Sequence, residues 1–242
     1  DSENKDQSRR RNSRGKTYFE LAKDVAYRAS VVLFNRLVPI LNRKEVFHFD
    51  DCLLLRNADK AYFFAGPYYF RYKYGSDKID ADKPVYYIRE RWKGIWLDGI
   101  DASFNTKFVL PIANDYNNWS HPNKLYMFKG AEYIRYDIIS DKADVGYPKA
   151  ISLNWRGLWS SNIDAAVYWK NEKVYFFKGN QYIRYDLKKD RADVGYPKLI
   201  SAHWPGLWAN GIDGAVNWEN GKIYFFKGEE YIRWDIENDR ID

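Results

Sequence analysis

A thirteen-residue segment in which strand-like aromatic and polar positions alternate occurs three times along the chain. The copies begin at Leu125, Val174 and Ile223, and their glycines are separated by 49 residues. In each copy an aromatic run ends at Lys-Gly, and a segment with period-two alternation then ends at aspartate. This pattern predicts two antiparallel strands joined by a tight glycine turn. A repeat of this length predicts stacked or radially arranged units.

A degenerate copy of the same segment precedes these three. Ala61–Gly66 and Tyr69–Tyr72 match its two halves, but Gly66 lies 64 residues before the next glycine. The extra length falls mainly in Pro111–Pro122. Because insertions in repeat proteins lie in loops, often on a binding face, this segment is a candidate ligand site, with packing of the loop as the alternative. The candidate ligand-binding residues are Tyr116, Trp119 and His121.

Three shorter patterns recur with the hairpin. They are Ile-Asp at 100–101, 163–164 and 212–213, Asp-Val-Gly-Tyr-Pro at 144–148 and 193–197, and Trp-x-Gly-x-Trp from positions 92, 155 and 204. Proline suits the first helical position and glycine commonly ends a helix. We therefore predict a short helix between Pro148 and Gly157, repeated between Pro197 and Gly206. Each unit would then contain three strands, a fourth short strand and a small helix.

The N-terminal part follows a different pattern. Residues 1–16 contain six basic and three acidic side chains, half of the net charge of +6, and predict a flexible basic leader. A processing site or a contact with an anionic surface is the alternative. Thr17–Glu20 matches a capping box, and the apolar spacing after it predicts an amphipathic helix over about 17–36. We expect this helix to pack on the domain, with binding to a membrane surface as the alternative.

The composition favours a large aromatic β-core without catalytic groups. Aromatic residues make up 19% of the 242 residues, and charge outside the leader is nearly balanced, which does not indicate a nucleic-acid surface. No apolar run is long enough to span a membrane. Motifs of metalloproteinases, serine hydrolases and phosphate-binding loops are absent, so we predict no enzyme activity. Three leucines follow the single cysteine, Cys52, which is predicted to be buried.

Together, Ile-Asp-Ala, Tyr-Phe-Phe-Lys-Gly, Tyr-Ile-Arg-Tyr-Asp and Asp-Val-Gly-Tyr-Pro resemble hemopexin repeats over residues 46–242. The near identity of successive repeats is closer to bacterial photopexin-like and plant seed-albumin members than to vertebrate ones. The resemblance implies an all-β fold, a four-bladed β-propeller with a central tunnel, here preceded by the N-terminal helix. The blades are expected at about 46–98, 99–161, 162–210 and 211–242. Radial closure would bury faces that one repeat alone leaves exposed.

The fourth blade is incomplete by this comparison. Seven residues follow Asp235, whereas the repeat predicts that a fourth strand, Gly-Tyr-Pro and a helix still follow. One hypothesis is that the chain was cut or ends short. The other is that residues 17–45 seal the blade, because Asp24–Tyr27 resembles Asp193–Tyr196. A single cysteine cannot form the disulfide that, in vertebrate members, joins the first blade to the last.

The resemblance also implies an ion in the tunnel. Radial symmetry would bring the first residues of the four units around one axis, where backbone carbonyls suit a hard cation such as Ca²⁺ or Na⁺. A chloride ion is a candidate further along the tunnel. The predicted ligands are Asp50, Asp101, Asp164 and Asp213, and Asp51 is an alternative to Asp50. The competing interpretation is that these aspartates cap turns and hold no ion.

These features predict a non-catalytic, secreted recognition module with a protein or glycan partner, within a toxin or defence protein. Secretion follows from the resemblance, since no signal peptide is visible. Exposed aromatic and arginine side chains could form the binding surface, with packing between blades as the alternative; they are Arg135, Arg184, Arg233 and Trp234. Other candidate functions are haem or polyamine binding or storage, and an accessory domain of a larger extracellular enzyme. Haem is not expected, because the three histidines are scattered.

Overall fold

The computed structural model describes residues 50–55, 60–73, 78–79, 85–106, 124–228 and 230–242. In this part of the chain, four antiparallel sheets form a four-bladed β-propeller. The predicted fold class is therefore confirmed for the propeller. The leader, the N-terminal helix and the candidate ligand residues Tyr116, Trp119 and His121 lie outside the described residues.

Each blade is built from one repeat. The first contains β1 (Asp51–Leu55), β2 (Lys60–Ala65), β3 (Tyr68–Lys73), β4 (Lys78–Ile79) and β5 (Tyr86–Tyr87). The second contains β6 (Ala102–Asn105), β7 (Lys124–Lys129), β8 (Glu132–Asp137), β9 (Lys142–Ala143) and β10 (Lys149–Ala150). The third contains β11 (Ala165–Tyr168), β12 (Lys173–Lys178), β13 (Gln181–Asp186), β14 (Arg191–Ala192) and β15 (Lys198–Leu199). The fourth contains β16 (Gly214–Asn217), β17 (Lys222–Lys227), β18 (Glu230–Asp235) and β19 (Arg240–Ile241).

The repeated hairpin forms the two central strands of each blade. In the third blade Phe176 pairs with Ile183, and the turn lies between Lys178 and Gln181. The inner strand pairs with the first hairpin strand, and the short fourth strand pairs with the second. The predicted arrangement of three strands and a short fourth is confirmed.

A small helix follows each of the first three blades. These helices are α1 (Ile88–Arg91), α2 (Ile151–Asn154) and α3 (Ile200–His203). The expectation that Pro148 and Pro197 open the helices is wrong. Two-residue strands come first, because β10 and β15 pair with the start of the second hairpin strand. Each helix begins only after that pairing ends.

The four inner strands close the ring. β1 contacts β6 and β16, and β11 contacts the same two strands, so each inner strand has a neighbour on both sides. A cluster of buried apolar side chains lies at each of the four junctions between neighbouring blades. Successive residues of a strand face opposite blades, as period-two alternation requires. Tyr182 faces the fourth blade and Tyr185 faces the second.

The junction between the fourth and first blades contains Cys52, Phe63, Val216 and Phe226. The predicted burial of Cys52 is confirmed, and burial raises the pKa of its thiol well above the usual range, with a further contribution from the charge of Asp51. The side chain therefore acts as a small apolar group.

The fourth blade has its fourth strand within the chain. β19 pairs with β18 through Trp234↔Ile241 and Asp235↔Arg240. The amide of Asp242 donates to the carbonyl of Arg233 over 3.0 Å, as Asp193 does to Arg184 in the third blade. The prediction that this strand is missing is therefore wrong, because a pair of residues is enough to form it.

Candidate functional site

The four predicted aspartates meet at one end of the tunnel. Each directly precedes an inner strand, and together they line a cavity of about 530 Å³ with Asn162, Asn210 and Lys227. The ring of inner strands therefore gathers four residues that are distant in sequence. We call this opening the tunnel mouth.

The backbone geometry of these aspartates repeats from blade to blade. The amide of Asp101 donates to the carbonyl of Phe128 over 2.8 Å, and Asp164 and Asp213 make the equivalent bonds to Phe177 and Phe226. Asp50 donates to Phe64 over 2.9 Å, so Asp50, not Asp51, occupies the equivalent place in the first blade.

The carboxylates of the same residues hold the hairpin turns. Oδ2 of Asp101 accepts from the amide of Gly130 over 2.8 Å, and Oδ2 of Asp213 accepts from Gly228 over 2.7 Å. Asp164 and Asp50 bind Gly179 and Gly66 in the same way. Turn capping by these side chains, one of the two interpretations, is thus present. These bonds use one oxygen of each carboxylate, so the backbone carbonyls and the second carboxylate oxygens are the groups that could bind an ion.

The aspartates influence one another electrostatically. The pKa of the Asp164 carboxyl is raised mainly by burial and further by the charges of Asp213 and Asp101. The hydrogen bond from Gly179 and the charge of Lys178 oppose this shift. Like charges raise the pKa of a carboxyl because ionisation adds repulsion. A cation at the mouth would relieve that repulsion.

Three lysines partly balance the acidic mouth. Nζ of Lys178 donates to the carbonyl of Ser161 over 2.7 Å, and Nζ of Lys227 donates to Gly211 over 2.8 Å. Lys129 pairs with Asp98 at 2.6 Å and donates to Gly99. The corresponding residue of the first blade is Ala65. With Asp98 included, five carboxylates face three ammonium groups, so the net charge around the mouth is negative.

The tunnel narrows beyond the mouth. A cavity of about 30 Å³ is lined by residues of all four inner strands, among them Ser103, Ala166 and Ala215. Within the described residues, no three histidine, cysteine, aspartate or glutamate side chains lie close enough together to hold a metal ion. Any ion here would therefore depend on backbone oxygens for most of its ligands.

The arginines considered as a binding surface lie in ion pairs on the outer strands. Nε of Arg184 is 2.5 Å from Oδ2 of Asp193, and Lys173 bridges Asp193 and Asp186. Arg135 pairs with Asp144 through the same nitrogen, and Arg233 pairs with Asp242 through a terminal nitrogen of its guanidinium group. Trp234 is 1% exposed and packs against Trp204. This geometry favours packing within and between blades.

Comparison with known families agrees with this architecture. The hemopexin family model matches residues 118–160, 163–209 and 212–242, which together make up half of the chain. The chain belongs to the hemopexin family. The matched ranges contain the strands of the third and fourth blades and those of the second blade except its inner strand β6, whereas the degenerate first blade lies outside them. The hemopexin resemblance of the sequence is confirmed.

Solved hemopexin-fold structures from legumes have similar propellers. The hemopexin fold protein CP4 from cow pea superposes with a TM-score of 0.64 at 24% identity, over 80% of this chain and 91% of that one. A plant albumin from Cicer arietinum, described as showing hemagglutination, has a TM-score of 0.63 at 25% identity over 78% and 86% of the two chains. A plant lectin with two metal binding sites from the same species has a TM-score of 0.61 at 27% identity, with the same coverage.

A curated relative matches over a shorter stretch. Matrix metalloproteinase-25 of Mus musculus is 41% identical over 54 residues, which is 21% of this chain and 9% of that protein. The match therefore covers only a small part of the metalloproteinase. In the described ranges, no helix has the length and apolar character needed to cross a bilayer.

Proposed function

We propose that this hemopexin-type propeller is a non-catalytic recognition module of a secreted protein, stabilised by a hard cation in its tunnel. One observation carries the cation: four equivalent aspartates surround one acidic cavity. Oxygen ligands and negative charge suit Ca²⁺, and Na⁺ is the weaker alternative. The ligands would be the backbone carbonyls of Asp50, Asp101, Asp164 and Asp213. Chloride further along the tunnel stays a prediction.

Two similar structures support a recognition role. The descriptions of the chickpea proteins mention hemagglutination and a lectin with two metal binding sites. Both superpose over most of the described propeller. We therefore propose a glycan or protein partner, and membership of a toxin or defence protein remains a further prediction. No role in binding nucleic acid is proposed.

The experiment has a cation arm and a partner arm. Chelator-treated protein is titrated with Ca²⁺ by calorimetry, and its melting temperature is measured with and without Ca²⁺. One saturable site and a higher melting temperature in Ca²⁺ are expected, because a ligand that binds only the folded state stabilises it. Absence of both effects would contradict the proposal that the tunnel binds a cation.

The partner arm uses a glycan array and agglutination of erythrocytes, each with and without chelator. Saturable binding that a free sugar inhibits supports recognition of a glycan. Binding to no glycan, together with no captured protein in a pull-down from extracellular fluid, would contradict the recognition function.

An accessory domain of a larger extracellular enzyme is the second candidate. The 54-residue match to matrix metalloproteinase-25 favours it. Sequencing of the full transcript decides this point, since a catalytic domain encoded beside the propeller would support it.

Binding or storage of haem or a polyamine is a weaker alternative. The acidic mouth suits a polyamine, and His203 is the histidine within the described residues, where it lies exposed on α3. We expect an unchanged Soret band on titration with hemin. Polyamine that competes with Ca²⁺ for the mouth would support the storage role.

A further inference from the structure

Asp51 breaks the symmetry of the tunnel just beyond the mouth. It begins β1, and its pairing with Phe64 makes it the counterpart of Ala102, Ala165 and Gly214 in the other blades. The other three blades thus have a small apolar residue or glycine where the first has a carboxyl group. Asp51 is 0% exposed to solvent.

One oxygen of this buried carboxyl is not satisfied. Oδ2 accepts a hydrogen bond from the hydroxyl of Ser103, but Oδ1 has no hydrogen-bond partner among the described residues. Leaving a buried polar atom unpaired costs on the order of 1–3 kcal/mol, and more when the group is charged. A protein that retains such a group without a ligand has to bear that cost in every folded molecule.

The neighbours of Asp51 place its carboxyl between the mouth and the narrow part of the tunnel. Asp51 directly follows Asp50, which lines the mouth. Ser103, its hydrogen-bond donor, lines the narrow cavity together with the inner strands. On the side of the fourth blade, a Cβ atom at Gly214 would lie 3.6 Å from Cα of Asp51. The carboxyl therefore lies one residue beyond the mouth, enclosed between the inner strands of the first and second blades, and lines neither cavity itself.

We propose that the unpaired oxygen of Asp51 is a side-chain ligand of a divalent cation held in the tunnel. The proposal rests on the cation of the proposed function and deepens it. Backbone carbonyls alone supply dipoles, which serve Na⁺ and Ca²⁺ alike, whereas a carboxylate supplies a full negative charge that favours the doubly charged ion. Asp51 would thus make the site selective for Ca²⁺ over Na⁺.

The test compares Ca²⁺ binding by the whole chain and by Asp51→Ala and Asp51→Asn. Alanine is the residue of the second and third blades at this position, and asparagine keeps the shape without the charge. Chelator-treated proteins are titrated with CaCl₂ by calorimetry in an excess of NaCl. We expect at least a tenfold loss of Ca²⁺ affinity in both variants. Glu132→Gln, which removes an exposed carboxylate from β8, should change the affinity less than twofold.

The melting temperature in chelator gives a second measurement that an ordinary loss of stability would not reproduce. Asp51→Asn, which keeps an acceptor for the Ser103 hydroxyl and removes the buried charge, should melt no lower than the unmodified chain without Ca²⁺ and should gain little on adding Ca²⁺. Equal Ca²⁺ affinity in the unmodified chain and both variants would overturn the role of Asp51 and leave the tunnel cation intact. Failure of the unmodified chain to bind Ca²⁺ would overturn both.

Discussion

At the scale of single residues, the aspartates show how one residue type serves several purposes in this fold. Those at the mouth hold hairpin turns with their carboxylates, whereas those on the outer strands bind lysine and arginine. Nζ of Lys124 lies 2.6 Å from Oδ2 of Asp137 and 2.8 Å from Oδ1 of Asp144. The first blade has Lys73 where the second has Asp137, so the network is altered there. Replacement of an aspartate therefore has a different effect at each place.

The outer ion pairs should make stability depend on pH in the acidic range. The hydrogen bond from Lys124 and the amide of Ser140 lower the pKa of Asp137 to about 2. A lowered folded-state pKa contributes stability above the unfolded-state pKa of about 4, and this is lost as pH falls towards 2. In Asp137→Asn, the free energy of unfolding should therefore fall by about 1 kcal/mol less over this pH range than in the unmodified chain, after allowance for partial exposure of the ion pair. Urea unfolding at a series of pH values measures it.

The control for this measurement is Glu132→Gln, an exposed carboxylate on the same strand. Its pH profile should follow that of the unmodified chain. A profile of Asp137→Asn that also keeps the full slope below about pH 4 would show that the pair with Lys124 contributes nothing measurable.

At the scale of elements, the tryptophan after each small helix joins neighbouring blades. Trp155 is 1% exposed and contacts aromatic rings of the second and third blades, among them Phe128 at 5.1 Å and Tyr185 at 5.0 Å between centroids. Trp92 and Trp204 occupy the first and third junctions in the same way. Each helix thus places a tryptophan ring between two sheets.

Removal of one of these tryptophan side chains should strongly destabilise the fold. Trp155→Ala is expected to lower the free energy of unfolding by about 3–5 kcal/mol, because it deletes a fully buried aromatic side chain and leaves a cavity. Chemical denaturation measures the change. Trp159→Ala, which removes a half-buried tryptophan four residues later, is the matched control and should cost clearly less. Equal losses of unfolding free energy in the two variants would contradict a special role of Trp155 between the blades.

Substitution of two glycines tests how closely the turn of the third hairpin approaches the start of the fourth blade. Gly179, in the third hairpin turn, has φ +51° and open space where a Cβ would lie. Gly211 has φ +108°, and its Cβ would lie 2.9 Å from the carbonyl oxygen of Gly179. Gly179→Ala should cost about 1–2 kcal/mol, the strain of a left-handed residue, and Gly211→Ala should cost more because it adds a backbone clash.

Thermal and urea unfolding of both glycine variants gives the comparison. If Gly211→Ala were the milder of the two, the close approach between the third hairpin and the start of the fourth blade would not exist in solution.

At the scale of the whole molecule, closure of the ring differs from junction to junction. Within the described residues, the fourth junction has no counterpart of Trp92, Trp155 and Trp204. Tyr231 of the fourth blade, which packs at this junction, is half-buried, whereas its counterpart Tyr182 of the third blade is 4% exposed. The inner strands still close the ring there through β1 and β16. The outer part of this junction is therefore the place where an added segment would have most effect.

The hypothesis that residues 17–45 complete this junction concerns a part of the chain outside the described residues, and it stays a prediction. Deletion of residues 17–40 should lower the melting temperature or cause aggregation, because it would expose an edge of the fourth blade. Deletion of residues 1–16 is the control and should leave melting unchanged. If the longer deletion also melted like the full chain, closure by the N-terminal segment would be excluded.

The sequence by itself determined the strand and turn arrangement of a single blade. The hairpin, the positions of its glycines and the 49-residue spacing are local patterns, because strand alternation and turn chemistry act between near neighbours. The four mouth aspartates could be predicted for the same reason, since each occupies a fixed place in its repeat. The spacing could also indicate radial closure, because repeated units bury both faces only against one another.

Only the tertiary structure decided what the less regular residues do. The choice between Asp50 and Asp51 depended on which amide meets the carbonyl of Phe64 across the sheet. Arg184 and Trp234 were plausible surface groups until their partners Asp193 and Trp204, which follow a short strand and a small helix, were known. Asp51 became a candidate ligand only when the ring enclosed its carboxyl with one oxygen unpaired. These properties arise from contacts between residues 9 to 52 positions apart, which the folded chain brings together and no local pattern specifies.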